Sequence, residues 1–553
     1  MSISIFPHRR GDPPAFETTF ALKQDDWNDY SFRTLYHLYH RDADQTQTLI
    51  GPVKILRRGQ KKGDALQITA PFETLPENFC SVGTSLDYYQ RLNEIPTTER
   101  DEILAALRDV VANPQLQDQF SSDTGWRTSL FRDDPNPEYF LADAEAIYSK
   151  NYSELIDLHG TLRFRPTNWN TPLELNFDAP DPLFFGIPLY RSRSRDSANL
   201  IPRRVIVLIG RNGSGKSTIL SNIARVAFAS TSDRMQSELQ TIGTFEPSSV
   251  GFPRVIAISY SAFDNFAVPG LHPTERRQIA TDIEKGGGRY VYVGLRDIVT
   301  ELREDLENAG FLEQQDQRRS QQRSDLRVKT HLKPLQQLAD EFSRFVQKIA
   351  ENDDTELFEL VLRSLLSDSS FGDAEGDALE SLIGNDAGSA FLNWSTGHKI
   401  ALHVVAALVA TATRRSLVLF DEPEMHLHPP LIAALMHAVR LVLEKKDAFA
   451  IVATHSPVIL QETLARHVRV IRRDGESFSV KSPNMETFGE NVGVLTYDTF
   501  GLTAAATDFH HVLDLLIERF DNLEEINEVF TPGLSGQALA YVMAGLARKK
   551  RQE

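Results

Sequence analysis

The chain has 553 residues, of which 41% are hydrophobic and 24% are charged, and its formal net charge at pH 7 is −17. This composition is ordinary for a globular protein of several domains, and it excludes a fibrous chain and a wholly disordered one. An acidic chain of this kind is also a poor general binder of polyanions, although local basic segments can still contact nucleic acid.

Nothing in the sequence predicts passage across a membrane. The longest apolar stretch, residues 400–413, contains His403 and is shorter than the roughly 20 residues that a membrane-spanning helix needs. The first residues lack the apolar core of a signal peptide. Cys80 is the only cysteine, which excludes an intrachain disulfide and a thiolate zinc site. We therefore expect a cytoplasmic protein.

Residues 1–155 are predicted to form an accessory α/β domain. Two short strands and one helix are expected in it, at residues 51–57, 65–69 and 98–111. Thr98 and Asp101 resemble a capping box at the start of that helix. His37 and His40 have the spacing of a metal-binding pair. We favour a partly buried aromatic helix or strand there, because no carboxylate or third ligand is evident nearby.

The middle of the chain contains two segments of unusual charge. Residues 318–333 hold six Lys/Arg and one Asp, so they form either an exposed helix face or a nucleic-acid-binding patch. Residues 351–386 hold eleven Asp/Glu and one Arg, which predicts a solvated, flexible segment. Between the strand at 254–260 and this acidic segment, residues 295–350 are expected to be helical.

A glycine-rich loop follows the apolar strand 205–209 directly and precedes a predicted helix, 219–228. The loop and the start of the helix match G-x4-G-K-[ST]. Glycines let the backbone curl so that successive N–H groups point at phosphate oxygens. Lys216 is expected to reach the β- and γ-phosphates, and the Ser217 hydroxyl to bind Mg²⁺. The predicted nucleotide-binding residues of this loop are Gly210, Asn212, Gly213, Ser214, Gly215, Lys216, Ser217 and Thr218.

Two further strands end in polar residues. Asp421 and Glu422 follow the apolar strand 417–420, which predicts that Asp421 holds Mg²⁺ and that Glu422 is the general base for the attacking water. His455 follows the strand 450–453, where a sensor of the γ-phosphate would be needed.

A third polar segment opens the apolar helix that begins near residue 400. Ser395, Thr396 and Gly397 lie at its N-terminus, which favours anion binding. By itself such a triplet serves equally well as a helix N-cap.

Together these four segments resemble the ATP-binding-cassette (ABC) ATPases. The loop at 210–218 resembles their Walker A motif, 395–399 their signature loop, 417–422 their Walker B motif, and His455 their switch histidine. The resemblance implies an α/β ABC-ATPase head, with a mixed and parallel sheet and a helical subdomain. It also implies ATP and Mg²⁺ as ligands, and a dimer of heads in which Ser395, Thr396 and Gly397 of one chain contact ATP held by the other.

This resemblance also implies a domain organisation. The ATPase core is expected at residues 156–500, with a helical, charged insertion at 265–390, and a helical extension at 501–553. The extension has one apolar stripe, formed by Phe509, Val512, Leu513, Leu516 and Phe520. We expect the stripe to pack on the ATPase core; a second subunit is the alternative.

Details of the sequence indicate a branch of the family. Residues 422–429, EPEMHLHP, resemble the corresponding segment of SMC-, RecF- and OLD-like soluble ATPases. The chain departs from the family at the Q-loop, where no glutamine is found and Asp264 or Ser261 are candidates, and at Trp394, where transporters have leucine. His426 and His428 are interpreted as packing residues of a dimer interface and not as a metal pair.

The tract 489–502 and the strand 258–264 resemble the ATPase subunits of bacterial antiphage systems, of the Septu PtuA, retron-associated and PARIS types. That resemblance implies a sensor or regulatory subunit acting on a separate effector protein, for which a nuclease is one candidate. Two alternatives stay open. One is a RecF- or SMC-like DNA-maintenance ATPase that binds DNA through 318–333, and the other is a self-contained nuclease or toxin with its effector in the N-terminal region.

Overall fold

The computed structural model describes most of the chain. The described residues are 2–8, 13–26, 31–42, 45, 47–65, 67–68, 70–132, 137–150, 162–167, 169–177, 183–184, 187–188, 202–229, 233–246, 250–264, 266–271, 273–312, 330–371, 375–384, 386–475, 477–500 and 508–552. Most of the basic segment 318–333, and both predicted domain boundaries, near 155 and near 500, lie outside these residues, so those boundaries stay predictions.

The N-terminal region forms a five-stranded sheet in the order β1-β2-β3-β4-β5, in which β1 and β2 are parallel and the other pairs antiparallel. Its strands are β1 (Ile3–Phe6), β2 (Phe20–Gln24), β3 (Leu35–Arg41), β4 (Gln47–Arg57) and β5 (Phe79–Gly83). Its helices are α1 (Leu86–Leu92), α2 (Thr97–Ala106), α3 (Gln115–Phe120), a π-helical turn (Trp126–Leu130) and α4 (Pro137–Tyr148). Sheet and helices enclose one apolar core.

Two expectations for this region, the strand at 65–69 and the capping box at Thr98 and Asp101, were wrong, whereas the partly buried aromatic segment expected around His37 and His40 is present as a strand. The described residues of 65–69 are not a strand. Helix α2 begins at Thr97 after Pro96, so Thr98 lies inside the helix and makes no capping box. His37 and His40 lie on strand β3 and bond to different carboxylates, at 2.8 Å to Asp25 and 2.7 Å to Glu99. Among the described residues, no cluster of three His, Cys, Asp or Glu side chains could hold a metal ion.

The centre of the molecule is a seven-stranded sheet in the order β13-β12-β14-β15-β10-β16-β17. All neighbouring strands are parallel except β16 and β17. The strands are β10 (Val205–Ile209), β12 (Val255–Ser259), β13 (Tyr290–Gly294), β14 (Leu417–Asp421), β15 (Phe449–Thr454), β16 (Val468–Asp474) and β17 (Ser477–Lys481). The first five are fully buried, as expected for parallel strands covered on both faces.

Two apolar cores cover the two faces of this sheet. On one face, alternate residues such as Ile206 and Leu208 of β10 pack with helix α5 (Lys216–Phe228) and a small antiparallel sheet. That sheet consists of β6 (Leu162–Arg165), β7 (Leu173–Leu175) and β11 (Thr244–Glu246); a further pair is β8 (Leu183–Phe184) and β9 (Ile187–Pro188). The same face also carries α7 (Pro273–Lys285) and α8 (Ile298–Leu312), which contribute buried apolar residues to this core. A short helix, α6 (Ser237–Gln240), precedes β11 and buries Leu239.

The other face is covered by a helical layer. Its helices are α9 (Leu335–Glu351), α10 (Thr355–Leu366), α11 (Glu375–Ile383), α12 (Ala387–Leu392), α13 (Thr396–Thr411), α14 (Pro429–Lys446) and α15 (Pro457–Gln461). The prediction that 351–386 is a flexible, solvated segment was therefore wrong. Helix α10 buries Phe358, Val361, Leu362 and Leu365 completely, and its acidic residues lie on the remaining surface. Counting charges did not reveal the apolar face, because its residues recur every three to four positions and acidic residues lie between them in the sequence.

The C-terminal helices are α16 (Val492–Phe500), α17 (Asp508–Arg519), α18 (Leu523–Glu528) and α19 (Gly536–Gln552). Leu513 of the predicted stripe is buried in a separate core with Ile526 of α18 and Val542 of α19. The expectation that the stripe packs on the ATPase core was wrong, because α17 packs on α19 instead. Phe509 and Val512 stay 47% and 42% exposed. In the described part of the chain no helix combines the length and apolarity needed to cross a bilayer.

Candidate nucleotide-binding site

The loop between β10 and α5 has the backbone shape that its glycines predict. Gly213 and Gly215 have φ of +77° and +87°, a region that other residues seldom adopt. A Cβ on Gly210 would lie 2.4 Å from the carbonyl oxygen of Ile471, so only glycine fits there. Helix α5 begins at Lys216, and Gly215 offers no side-chain cap, so the first N–H groups of the helix are available to an anion.

The loop side chains differ in exposure. Asn212 and Thr218 are exposed, whereas Ser214 is buried. The Ser214 hydroxyl has no hydrogen-bond partner among the described residues. A buried hydroxyl without a protein partner at this position fits a loop built to receive phosphate oxygens.

Lys216 lies at the centre of the site. Its amine donates to the carbonyl oxygen of Gly210 at 3.0 Å and lies 2.8 Å from Nε2 of His455. Burial lowers the pKa of the Lys216 amine to about 8, against the opposing effect of the nearby carboxylates of Glu422 and Asp421. Burial and the charge of Lys216 lower the pKa of His455 to about 4, so the neutral ring accepts the bond from the lysine.

Asp421 ends strand β14 and meets the start of helix α5. Its carboxylate accepts a hydrogen bond from the Ser217 hydroxyl at 3.1 Å and is only 5% exposed. Burial raises the pKa of Asp421 to about 7, and the charges of Asp264 and Glu422 act in the same direction. A hydroxyl oxygen and a carboxylate oxygen are hard ligands. A neighbouring cation also stabilises the charged form of a buried carboxylate. The pair therefore fits Mg²⁺.

Glu422 and His455 face each other across the ends of β14 and β15. The carboxylate oxygen of Glu422 lies 3.5 Å from Nε2 of His455. Glu422 has φ of +47°, an uncommon conformation for a residue other than glycine, and its N–H donates to the carbonyl oxygen of Ala453. Such conformations occur often at functional sites, where surrounding contacts hold them.

The predicted signature residues lie apart from this group. The Ser395 hydroxyl caps helix α13 by accepting from the N–H of His398, and it bonds to Nδ1 of the same ring at 3.0 Å. A Cβ on Gly397 would come within 2.9 Å of the carbonyl oxygen of His426. Ser395 and Thr396 are exposed. The contacts found for this loop in the described residues join it to its own helix, to 426–431 and, through His398, to Ser370 and Phe371.

The structure describes both candidates for the missing Q-loop glutamine, Asp264 and Ser261. Asp264 is buried, accepts from the Tyr292 hydroxyl at 3.0 Å and lies 3.7 Å from the guanidinium of Arg296. Ser261 accepts from the N–H of Phe263, whose own side chain is 93% exposed. Asp264 thus has structural partners, and nothing in the geometry favours either residue for the missing glutamine.

The sequence interpretation passed over two features of this site. Phe478 of β17 lies beside Gly215 and stacks on Trp169 with ring centroids 5.4 Å apart. Glu424 bonds to the Thr454 hydroxyl and to the N–H of His455. The second glutamate of the E-P-E sequence was a usable signal for Glu424, whereas Trp169 and Phe478 are distant in sequence and carry no local signal.

Comparison with known proteins shows a similarity to a described family over the segment that carries these residues. Residues 205–461 match the family described as "AAA domain, putative AbiEii toxin, Type IV TA system". Protein ea59 of Escherichia phage lambda is 29% identical over 564 residues, which is 97% of each chain. The Septu protein PtuA of Bacillus thuringiensis is 23% identical over 176 residues, which is 29% of this chain and 43% of PtuA.

One solved structure, that of an SMC head bound to the C-terminal winged-helix domain of ScpA, covers 58% of this chain and 96% of its own, with 13% identity and a TM-score of 0.24. That score is below the level at which a shared fold could be inferred. The stronger basis is the family match together with the β10–loop–α5 geometry and the parallel sheet. On that basis residues 205–461 form a P-loop domain that resembles the ABC-type ATPases, and part of the chain resembles the Septu protein PtuA.

Proposed function

We propose that this chain binds ATP with Mg²⁺ and hydrolyses it to ADP and phosphate. The observation that carries the proposal is the convergence of Lys216, Ser217, Asp421, Glu422 and His455 at the carboxyl edge of β10, β14 and β15. These side chains provide a cation for phosphate, two oxygen ligands for a metal ion, a carboxylate for water and a histidine beside it. Hydrolytic phosphoryl transfer depends on such groups.

Each residue then has a role that its position supports. The loop 210–218 would bind the phosphates through its N–H groups, and Lys216 would neutralise their charge. Ser217 and Asp421 would hold Mg²⁺, which supplies charge stabilisation at the phosphates when bound. Glu422 would orient the attacking water and accept its proton, and His455 would sense the γ-phosphate.

A complete site would need a second copy of the chain. Ser395, Thr396 and Gly397 have no contact with the P-loop among the described residues, and the first two are exposed. They are therefore free to contact ATP bound by another chain. We assign them that role in a dimer of heads, where the helix N-terminus favours the γ-phosphate charge.

The biological role proposed is that of a sensor or regulatory subunit in a cytoplasmic antiphage defence complex that controls a separate effector, with a nuclease as one candidate. Similarity to the Septu protein PtuA supports it. Similarity to ea59 spans 97% of the chain, which supports treating the accessory regions, 1–155 and 501–553, as parts of one unit with the core at 156–500.

A self-contained toxin is the second candidate, because the matched family is described as a putative AbiEii toxin. Among the described residues of the N-terminal region, no three His, Cys, Asp or Glu side chains form a cluster that could hold a metal ion. A DNA-maintenance ATPase would need the basic segment 318–333, most of which lies outside the described residues.

The deciding test measures phosphate release by the purified chain and by Lys216→Ala, and identifies proteins that co-purify from the native host. ATP turnover that is lost in Lys216→Ala, together with one stoichiometric partner, is the expected result. Absence of ATP turnover with and without that partner would contradict the ATPase proposal. Toxicity or strand cleavage by the chain alone would support the second candidate.

A further inference from the structure

A buried carboxylate links the two loops that carry the proposed reaction. Glu424 lies two residues after Glu422, in the turn that follows β14. Its Oε2 accepts from the Thr454 hydroxyl at 2.8 Å, and its Oε1 accepts from the backbone N–H of His455. The Thr454 hydroxyl in turn accepts from the N–H of Ser456 at 2.8 Å. One side chain thus fixes the end of β15 and the backbone of the following residue.

The two loops are held a second time by their backbones, since the N–H of Glu422 donates to the carbonyl oxygen of Ala453 at 2.8 Å. The ring of His455 contacts Lys216 and Glu422 from this fixed backbone. A shift of the His455 backbone would therefore move the ring relative to both groups.

We propose that Glu424 is a positioning residue for the nucleotide reaction. By holding Thr454 and the N–H of His455, it sets the distance of the His455 ring from the lysine of the P-loop and from the proposed base. This inference rests on the proposed ATPase function, and it assigns Glu424 no contact with the nucleotide.

The chemistry of the contacts explains why a carboxylate is needed. Both partners are donors, and a carboxylate accepts from both at once. In Glu424→Gln the amide oxygen can accept from one of the two donors, but the amide nitrogen is itself a donor and cannot accept from the other. In Glu424→Asp the side chain is one methylene shorter and cannot span the same gap.

The test compares the full-length protein with Glu424→Gln, Glu424→Asp and Glu424→Ala. Glu444→Gln is the matched control, because Glu444 is exposed on α14. We expect kcat to fall by about 10- to 100-fold in the Glu424 variants, since misplacement of about 1 Å has effects of that size. The affinity for ATP should change by less than about threefold, because the P-loop and Lys216 are intact. A merely structural residue would lower both together or reduce the folded fraction.

Thr454→Val gives an independent test, since it replaces only the hydroxyl by a methyl group. If Glu424 acts through Thr454 and His455, Glu424→Gln should reduce kcat less in the Thr454→Val background than in the wild type. Full additivity of the two effects would overturn the proposal, as would wild-type kcat in folded Glu424→Gln and Glu424→Ala.

A readout that does not depend on turnover separates this inference from the proposed function. In protein with labelled histidines, the His455 ring signal is assigned by its loss in His455→Ala. It should shift in Glu424→Gln and stay in place in Glu444→Gln. A wild type without ATPase activity would contradict the proposed function alone, whereas an unmoved His455 signal in Glu424→Gln would contradict the positioning role.

Discussion

The amine of Lys216 lies 2.8 Å from Nε2 of His455, at the point where the P-loop meets the end of β15. Both groups are partly buried, and burial lowers the pKa of each. A phosphate group entering the loop would compete with His455 for the lysine. The two residues thus form the link between nucleotide binding and the loop that carries the proposed sensor.

The pKa of Lys216 predicts how nucleotide affinity depends on pH. A lysine with a pKa of about 8 loses its charge as the pH rises through that value. A bound phosphate favours the charged form and raises the pKa, so binding becomes coupled to proton uptake. In Mg²⁺-free buffer the affinity for ATP should be constant between pH 7 and 7.5 and fall by up to about tenfold per pH unit above pH 8.

Calorimetry in two buffers of different ionisation enthalpy would measure the proton taken up. Asp421→Asn is the control, because burial raises the pKa of Asp421 to about 7, close to the pKa of Lys216. The same fall in that variant would assign the proton to Lys216. An affinity that stays flat up to pH 9.5 would show that Lys216 remains charged without nucleotide.

Glu422→Gln should separate binding from hydrolysis. The amide keeps the size of the side chain but cannot take a proton from water. We expect ATP and Mg²⁺ to bind with affinity within about threefold of the wild type, and kcat to fall by about 10²- to 10⁴-fold. The ATP-bound head dimer should accumulate, as seen by size-exclusion chromatography with light scattering. Unchanged turnover would remove Glu422 from the role of base.

The action of Ser395 on a second chain can be tested by mixing two inactive variants. Ser395→Arg should bind nucleotide and fail to hydrolyse it, because a long side chain at this exposed position would hold the heads apart. Lys216→Ala should fail to bind. A mixed dimer has one site with both wild-type Lys216 and wild-type Ser395, so hydrolysis should recover in the mixture.

Ser237→Arg, at an exposed site at the start of α6, controls for the added charge. Titration of one variant into the other measures the recovery. Activity equal to the average of the two separate variants would show that each site works within one chain, and would contradict the dimer proposal.

The strand, the glycine loop and the helix start of the candidate nucleotide site could be predicted because the sequence signal for each is local. A strand, a glycine loop and a helix start lie within residues 205–228, and the structure reproduces them. Glu422 and His455, which follow the neighbouring parallel strands β14 and β15, lie together, with the Glu422 carboxylate 3.5 Å from Nε2 of the ring. Glu424 was missed because the second glutamate of the E-P-E sequence was not used as a signal, and because its hydrogen bonds to Thr454 and His455 join strand ends that are distant in sequence.

Counting charged residues was the least reliable way to predict local structure. The acidic segment 351–386 contains a helix whose apolar face belongs to the main core, and Phe358 in it is fully buried. The apolar stripe of α17 was correctly predicted to need a partner, but its partners are α18 and α19 of the same helical extension and not the ATPase core. Long-range pairing of helices is decided by packing that periodicity alone cannot assign.

Leu513 and Val512 of α17 differ in exposure, so replacing each by alanine should lower the free energy of unfolding by different amounts. Leu513 is 3% exposed and packs against α18 and α19, whereas Val512 is 42% exposed. Leu513→Ala should destabilise the C-terminal helices by about 2–5 kcal/mol. Val512→Ala should cost less than about 1 kcal/mol, because little apolar contact is removed. Limited proteolysis within 508–552 would compare the two variants, and equal protection would contradict the assigned packing.

The final prediction concerns where a partner docks. The accessory regions, 1–155 and 501–553, lie outside the proposed nucleotide machinery, and α17 keeps Phe509 and Val512 exposed beside its own core. We expect the effector to dock on one of these regions, with an affinity that differs between ATP, ADP and no nucleotide, because a ligand shifts an equilibrium only through different contacts in its states. A pull-down of the co-encoded protein with the full chain, with each truncation, and with Phe509→Ala would locate the surface. A partner that binds a folded 156–500 fragment as tightly as the full chain, in every nucleotide state, would contradict docking on the accessory regions.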